Sequence, residues 1–214
     1  MSETVFIVDD DAGVRDSLGL LIQTAGFAVE DFASAEDFLT SYDPARPGCI
    51  VLDVRMPQRS GPQLQRALLE RGRPPPIIFL TAHGDIPTTV RAMRDGAFDF
   101  LTKPVDGQAI LERVRAALAL DRRERELGAA QDKVDATLAS LSQRERDVLA
   151  LAIDGLPNKE IARRLGISHR TVEVHRSRIL LKTGESTLLG LARLAAAAGS
   201  KPAEGEPTGD TPAA

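Results

Sequence analysis

The sequence contains the run Cys49-Ile50-Val51-Leu52-Asp53-Val54-Arg55-Met56-Pro57, in which apolar residues lead into a carboxylate. The apolar part is rich in β-branched side chains, which is typical of a strand buried on both faces of a parallel sheet. Asp53 stands where this strand should end. Ligands of open α/β sheets bind just beyond the carboxyl ends of the strands, so Asp53 is a candidate functional residue.

The composition indicates two domains of different charge. The chain has 214 residues, of which 43% are hydrophobic, enough for two small cores. Residues 1–118 carry 12 basic and 17 acidic side chains, a net −5, whereas residues 141–198 carry 10 and 6, a net +4. This asymmetry fits a polyanion partner for the second half alone, but it also fits ordinary surface variation.

The single cysteine, Cys49, excludes an internal disulfide, and its place in a predicted strand indicates a small core residue. No segment has the pattern of a secretory leader or of an apolar bilayer span. We therefore expect a soluble, cytoplasmic protein without a membrane partner.

Strand and helix patterns alternate along the first 118 residues. The alternation predicts the α/β class, as a doubly wound, five-stranded parallel sheet. We expect its flavodoxin-like form, and a second, all-α domain after it. The predicted strands are Val5–Val8, Ala28–Phe32, Ile50–Asp53, Pro76–Leu80 and Phe98–Leu101. The predicted helices are Ala12–Ala25, Ser34–Leu39, Pro62–Leu69, Ile86–Arg94 and Asp106–Leu118.

Polar residues follow four of the predicted strands: Asp9 and Asp10 after the first, Asp53 at the end of the third, Thr81 after the fourth and Lys103 after the fifth. If the first and third strands are neighbours, the three carboxylates meet at one edge of the sheet. Such a cluster needs a compensating cation, and Mg²⁺ with several retained waters is the simplest choice.

The acidic run has an alternative explanation. Asp9 to Asp11 could simply cap the first helix, whose positive end favours carboxylates. Capping is the favoured explanation for Asp11. A metal site is favoured for Asp10, because Asp53 lies at the same edge of the predicted sheet. Lys103 can pair with Asp53 or a phosphoryl oxygen, or it can be an ordinary surface lysine before a proline. The hydroxyl of Thr81 can donate to another phosphoryl oxygen, or it can only cap the next helix. The whole set predicts a phosphoryl-transfer site.

These motifs resemble the receiver domain of two-component response regulators. The matching residues are Asp9-Asp10, Asp53 with Met56-Pro57 and Gly61, Thr81-Ala82, and Lys103-Pro104. The resemblance implies that Asp53 accepts a phosphoryl group from a sensor histidine kinase. It implies that Mg²⁺ is bound by Asp10, Asp53 and the backbone carbonyl of Arg55, with Asp9 acting through water. It also implies that Thr81 and Lys103 contact the phosphoryl oxygens and that the Lys103–Pro104 bond is cis.

Such receivers couple the threonine to an aromatic residue on the last strand, here Phe100. Movement of the Thr81 hydroxyl toward the phosphoryl group would leave space for the ring, and the phosphate adds about two negative charges. The alternative is that Phe100 is ordinary core. Residues His83–Pro87 resemble the FixJ-like branch, whose following helix pairs phosphorylated receivers. We therefore expect a homodimer on phosphorylation.

Residues 119–140 are predicted to form a helical linker. Polar residues at Glu124 and Gln131 interrupt the seven-residue spacing of its apolar positions, so a solvated helix is favoured over a sustained coiled coil. The spaced apolar positions are Leu120, Leu127, Val134 and Leu141.

Residues 141–198 show a helix-turn-helix pattern. A capping box at Ser142–Glu145 starts one helix, and Gly166-Ile167-Ser168 forms the turn before another. On that last helix, Val172 and Ile179 fall within about 20° of each other and should face the core.

The opposite face of this helix is predicted to enter a major groove. Glutamate can accept from cytosine, valine can contact a thymine methyl, and arginine can bind guanine or phosphate. Arg176 flanks the buried side and is assigned to the DNA backbone, and His175 is expected to be partly buried. The candidate contacts are Arg170, Thr171, Glu173, Val174, Arg176, Ser177, Arg178 and Lys182.

The segment resembles the LuxR-type DNA-binding domain at Leu141–Glu145, Asn158–Ala162 and Thr171–Arg176. The resemblance implies four helices, of which the last, Ser186–Ala198, either pairs two copies or only closes the core. The composition of residues 199–214 predicts a disordered tail.

The two resemblances together identify the chain as a member of the NarL/FixJ family. They imply a transcription factor whose DNA binding rises when Asp53 is phosphorylated, with RNA polymerase as a further partner and no enzymatic activity beyond its own phosphoryl transfer and autodephosphorylation. A phosphatase is disfavoured because position 55, where it would need a second aspartate, is Arg55. The complete acidic set disfavours a scaffold that takes no phosphate. RNA binding is disfavoured because the deep major groove of RNA does not admit side-chain readout.

Overall fold

The computed structural model of the chain describes residues 3–82, 86–185, 187 and 190. It divides into two compact units, Met1–Glu126 and Leu127–Ala214. This division falls inside the segment that the sequence predicts to be a linker. Within the described residues, every helix is too short or too polar to cross a membrane.

The first unit contains a parallel five-stranded sheet of order β2-β1-β3-β4-β5 flanked by helices, which confirms the predicted flavodoxin-like fold. The strands are β1 (Thr4–Val8), β2 (Ala28–Phe32), β3 (Gly48–Asp53), β4 (Ile77–Thr81) and β5 (Asp99–Thr102). The helices are α1 (Ala12–Thr24), α2 (Ala35–Ser41), α3 (Gly61–Glu70), α4 (Ile86–Arg94) and α5 (Gly107–Ala139).

The central strands are apolar because both faces of the sheet are covered. Successive side chains of a strand point to opposite faces, so Ile50 and Leu52 join one apolar cluster while Cys49 and Val51 join the other. Val8 of β1 lies opposite Leu52 of β3. This register places the residues that follow β1 beside the end of β3.

Helix α5 continues through the predicted linker, but its first turns beyond residue 118 are packed rather than solvated. Asp121 is only 2% exposed. Its Oδ2 accepts hydrogen bonds from the backbone N–H of Gly48 at 3.0 Å and from Nε of Arg125 at 2.7 Å. Arg125 in turn donates to the carbonyl of Arg46 at 2.7 Å. The spacing of apolar residues carries no signal for such a polar contact.

Replacing Asp121 by alanine is expected to lower the free energy of unfolding of the first unit by about 3 kcal/mol. The change leaves the buried amide of Gly48 without its acceptor and removes the carboxylate that Arg125 binds. Urea denaturation measures the effect. The control is Glu124→Ala, which removes an exposed ion pair with Arg73 and should cost less than about 1 kcal/mol. Equal losses in the two variants would contradict the predicted role of Asp121.

The second unit contains α6 (Gln143–Ile153), α7 (Asn158–Leu165) and α8 (His169–Thr183), packed around a core that includes Val172 and Ile179. Ser142 and Ser168 cap α6 and α8 as predicted. Gly166, at φ 66°, supplies the left-handed turn between α7 and α8. The predicted last helix, 186–198, and the predicted tail lie outside the described residues, except for positions 187 and 190.

Candidate functional site

The carboxyl edge of the sheet brings together side chains from three strand ends. Asp9, which follows β1, is 1% exposed, and Asp53, the last residue of β3, is 6% exposed. The ammonium of Lys103, which follows β5, lies 2.7 Å from Oδ2 of Asp9 and 2.6 Å from Oδ1 of Asp53. One cation therefore bridges two nearly buried carboxylates, as the sequence suggested for Asp53.

The backbone holds the remaining oxygens of these carboxylates. Oδ2 of Asp53 accepts the N–H of Arg55 at 2.7 Å, and Oδ1 of Asp9 accepts the N–H of Asp11 at 3.0 Å. The side chain of Asp11 accepts hydrogen bonds from the amides of Gly13 and Val14 and so caps α1. This is the role that the capping explanation of the acidic run gives to Asp11. Both bridged carboxylates are thus fixed in direction.

Burial and charge act in opposite directions on this pair. Burial raises the pKa of Asp53 above its ordinary value, and the hydrogen bond and charge of Lys103 oppose that rise. For Lys103, burial acts to lower the pKa, but the hydrogen bonds with Asp53 and Asp9 prevail and raise it. Lys103 therefore stays charged, and the carboxylate of Asp53 is more basic than an exposed one.

A cleft of about 260 Å³ opens above these groups. Asp10 lies at its rim and is exposed. The residues that line the cleft are Asp9, Asp10, Asp11, Asp53, Val54, Arg55, Ala82 and Lys103. In the described part of the chain, no group of three or more Asp, Glu, His or Cys side chains is arranged to hold a metal ion unaided. The oxygen donors of the cleft suit a hard cation that keeps several waters.

The predicted switch residues lie beside the cleft rather than in it. Thr81 is buried, and its hydroxyl donates to the carbonyl of Ala82 at 2.9 Å. Phe100 is half-buried and stacks on Phe79, with ring centroids 5.3 Å apart. The bond between Lys103 and Pro104 is cis, as predicted.

Gly61 fixes the loop that follows Asp53. A Cβ atom at Gly61 would lie 2.3 Å from the carbonyl oxygen of Asp53, and the amide of Gly61 donates to the carbonyl of Val54 at 3.1 Å. Only glycine allows this approach. The sequence pattern included this glycine but gave no reason for it.

The outer face of α8 forms a second candidate site. Its shallow depression of about 380 Å³ is lined by Arg170, Glu173, Val174, Ser177, Arg178 and Leu181. The structure thus brings together five of the predicted DNA contacts on one exposed surface. It adds Leu181, which is 83% exposed and which the sequence interpretation missed.

The other three predicted DNA contacts have partners within the second unit. The hydroxyl of Thr171 lies 2.8 Å from that of Ser168, and Arg176 donates to the side-chain oxygen of Asn158. His175 is half-buried, as expected.

Lys182 is the third of these residues. Its ammonium lies 2.7 Å from Oε2 of Glu145 and donates to the carbonyl of Ser140 at 3.2 Å. Glu145 is 3% exposed and also accepts the N–H of Ser142 at 2.7 Å, completing the predicted capping box. The hydrogen bond from Lys182, aided by that from Ser142, lowers the pKa of Glu145 to about 2.

Replacing Glu145 by glutamine is expected to lower the free energy of unfolding of the second unit by about 1.5–3 kcal/mol at pH 7. Because folding lowers the pKa of this carboxyl, its stabilisation is complete above the ordinary pKa of 4.5 and is lost as the pH falls toward 2. The difference between variant and wild type should therefore shrink over that window. Urea titrations at a series of pH values measure it.

The control for that series is Glu160→Gln, which alters an exposed ion pair with Arg163. Its effect should stay below about 1 kcal/mol at every pH. A Glu145→Gln difference that does not change between pH 5 and pH 2 would show that the ion pair is not its cause.

Comparison with known proteins identifies a family for each half of the chain. The model of the response regulator receiver domain matches residues 5–115, and that of the luxR family of bacterial regulatory proteins matches residues 139–195. The chain belongs to the NarL/FixJ family of response regulators. Its two matched domains make it a two-component response regulator that controls transcription. Receiver domains of such regulators generally use Mg²⁺ in the acidic pocket.

Relatives of this response regulator match over most of their length. It is 50% identical to the transcriptional regulatory protein TdiR of Thauera aromatica, with 86% of this chain and 81% of TdiR covered. It is 47% identical to the C4-dicarboxylate transport transcriptional regulatory protein DctR of Rhodobacter capsulatus, with 91% of this chain and 100% of DctR covered. It is 44% identical to FixJ of Rhizobium meliloti, covering 93% and 98%.

Solved structures support the same assignment. The response regulator StyR shares 46% identity at a TM-score of 0.88, with 92% of this chain and 99% of StyR covered. Full-length FixJ from B. japonicum shares 40% identity at a TM-score of 0.57, with 94% of this chain and 98% of that FixJ chain covered. The family implies a sensor kinase and DNA as partners of this response regulator.

Proposed function

We propose that a sensor histidine kinase phosphorylates Asp53 and that this modification controls sequence-specific DNA binding by the second unit. The observation that carries the proposal is the position of Asp53. Its carboxylate ends β3, lines an open acidic cleft and is bridged to a second carboxylate by Lys103. Nothing in the packing of the core requires these three charges.

In the proposed reaction, a carboxylate oxygen of Asp53 attacks the phosphorus of a phosphohistidine. The new O–P bond forms as the P–N bond breaks, and the imidazole leaves. Burial makes this carboxylate more basic, and the ammonium of Lys103, 2.6 Å from Oδ1 of Asp53, would stabilise the phosphoryl oxygens. Hydrolysis of the same O–P bond by water would reset the site.

The residues at the cleft fit Mg²⁺, which, when bound, would neutralise charge on the transferring phosphoryl group. Asp10, Asp53 and the carbonyl of Arg55 would hold it, with Asp9 acting through water. The oxygen donors and the openness of the cleft to water support this assignment.

The proposed switch uses the residues beside the cleft. The hydroxyl of Thr81 would leave the carbonyl of Ala82 to donate to a phosphoryl oxygen, and the ring of Phe100, which stacks on Phe79, would move into the space that the hydroxyl leaves. Repacking near β5 and α4 would then favour a homodimer, and RNA polymerase would be a further partner at the promoter. An unchanged sedimentation coefficient after complete phosphorylation would contradict the dimer.

The proposal is tested by gel shifts on genomic fragments with wild type, Asp53→Asn and Asp16→Asn, each with and without a small acyl phosphate. Wild type and Asp16→Asn should gain about 80 Da by intact mass, as expected for one phosphoryl group, and bind DNA more tightly. Asp53→Asn should do neither. Asp16 is an exposed carboxylate outside the cleft and controls for a general effect of charge. A donor response of Asp53→Asn equal to that of wild type would refute the assignment.

A further inference from the structure

Arg15, on the first turn of α1, contacts the backbone of the acidic turn and lines a depression other than the cleft. Its Nη1 donates to the carbonyl of Asp9 at 2.8 Å and to that of Asp10 at 3.2 Å. The carboxylates of the same two residues line the cleft. One guanidinium therefore binds the peptide carbonyls of the same two residues that line the cleft.

The guanidinium also forms an ion pair with β2. Nε of Arg15 lies 3.1 Å from Oδ2 of Asp31, and the Arg15 side chain is 15% exposed. Asp31 pairs with Ile7 in the sheet, two residues before the acidic turn begins. Arg15 thus links the turn between β1 and α1 to the neighbouring strand.

Arginine suits this arrangement because its planar group carries donors in several fixed directions. Nε can serve the carboxylate of Asp31 while Nη1 serves the carbonyls. A lysine at this position has one nitrogen and cannot bind all three acceptors in the same geometry. The three acceptors come from two different strand ends, so the contact fixes a relation between them.

We propose that Arg15 is a positioning residue that fixes the backbone of the turn Asp9–Asp11 and thereby the direction in which Asp9 and Asp10 face the cation site. The inference rests on the proposed function of the cleft. Arg15 touches neither the phosphoryl group nor the cation. Its effect is transmitted through the peptide groups whose carbonyl oxygens it binds.

The amide of Asp11 reports on this turn because it donates to Oδ1 of Asp9. If the two carbonyls lose Arg15, the peptide groups of the turn can rotate, and this hydrogen bond should open more often. Faster hydrogen exchange at the Asp11 amide, in protein without Mg²⁺, therefore measures positioning directly. The amide of Arg55, bonded to Asp53 on β3, should be unchanged and serves as an internal reference.

The experiment compares the full-length variants Arg15→Met, Arg15→Lys and Asp31→Asn with wild type, using Mg²⁺ titration by calorimetry and the exchange rate of the Asp11 amide. Loss of a residue that orients ligands typically weakens metal binding by about 10-fold or more. We expect that loss for Arg15→Met, a smaller loss for Arg15→Lys, and a change below about twofold for Asp31→Asn, which keeps the carbonyl contacts.

The outcomes separate the inference from the proposed function. An unchanged Mg²⁺ affinity or Asp11 exchange rate in Arg15→Met overturns the inference, as does an equal loss in Asp31→Asn, which would assign the effect to the ion pair. If Arg15→Met does not fold, Arg15→Lys decides by the same two measurements. Wild type that binds no Mg²⁺ or takes no phosphoryl group on Asp53 would instead overturn the proposed function.

Discussion

Replacing Lys103 by methionine is expected to slow phosphoryl transfer to Asp53 by about 100-fold or more, comparable to the loss of a donor that stabilises developing charge. Methionine keeps most of the length of the side chain but removes the cation that bridges Asp9 and Asp53. The approaching phosphoryl group would then meet two carboxylates without the ammonium that bridges them. The measurement is the rate of phosphorylation by a small acyl phosphate, followed by intact mass.

Lys133→Met is the matched control for this rate, because Lys133 is an exposed residue of α5 far along the chain from the cleft. Its rate should equal that of wild type. A Lys103→Met rate within about threefold of wild type would remove Lys103 from the proposed mechanism, since such a factor corresponds to less than about 1 kcal/mol.

The same substitution should change how stability depends on pH. Burial raises the pKa of Asp53, and the hydrogen bond and charge of Lys103 oppose that rise, so the pKa should rise further when Lys103 is removed. In the unfolded chain this carboxyl has its ordinary pKa of 3.8, so it loses its proton at a lower pH than in the folded variant. The folded variant therefore loses stability as the pH rises above that value. Lys103→Met should therefore be least destabilised at low pH and most destabilised near pH 7, in urea titrations.

Much of the first unit could be predicted because periodicity reports burial. The apolar run before Asp53 predicted a strand buried on both faces, and the alternation of patterns predicted a parallel sheet. The position of β1 beside β3 was assumed from the flavodoxin-like order, and the structure confirms it. Once that order is known, Asp9 and Asp53 must share an edge, since the carboxyl ends of parallel strands lie together. The candidate cleft therefore follows from strand order and from which polar residues follow the strands.

Polar contacts between distant segments could not be predicted in this way. The period of a helix shows which face a residue occupies but not what it meets. Lys182 lies on a face compatible with DNA, yet its ammonium is bound to Glu145, 37 positions away. Asp121 lies in a charged helix and is bound to Gly48, 73 positions away. The pattern of α1 likewise does not indicate the contacts of Arg15 with the carbonyls of Asp9 and Asp10.

Some of the predicted DNA contacts are exposed on α8, whereas others are bound to residues of the second unit. This difference predicts a large effect on DNA binding for an exposed residue. Arg178→Ala is expected to weaken specific DNA binding by about 10- to 100-fold, because Arg178 is exposed on the face that also carries Glu173 and Val174. If Arg178 binds a base, the loss should differ between operator and unrelated DNA. If it binds only phosphate, the loss should be uniform, and the slope of log K against log salt should fall by about one.

Arg176→Ala is the matched variant, on the same helix and with the same change of charge. Arg176 is half-buried and already donates to Asn158 of α7, so its removal should lower the melting temperature more than Arg178→Ala does and DNA affinity less. Affinity is measured by fluorescence anisotropy with labelled operator at several salt concentrations, and melting by circular dichroism. The opposite result would be a larger loss of DNA affinity for Arg176→Ala and a larger loss of melting temperature for Arg178→Ala. It would mean that Arg176 leaves Asn158 when DNA binds, and that the DNA contact face of α8 extends beyond the depression between Arg170 and Leu181.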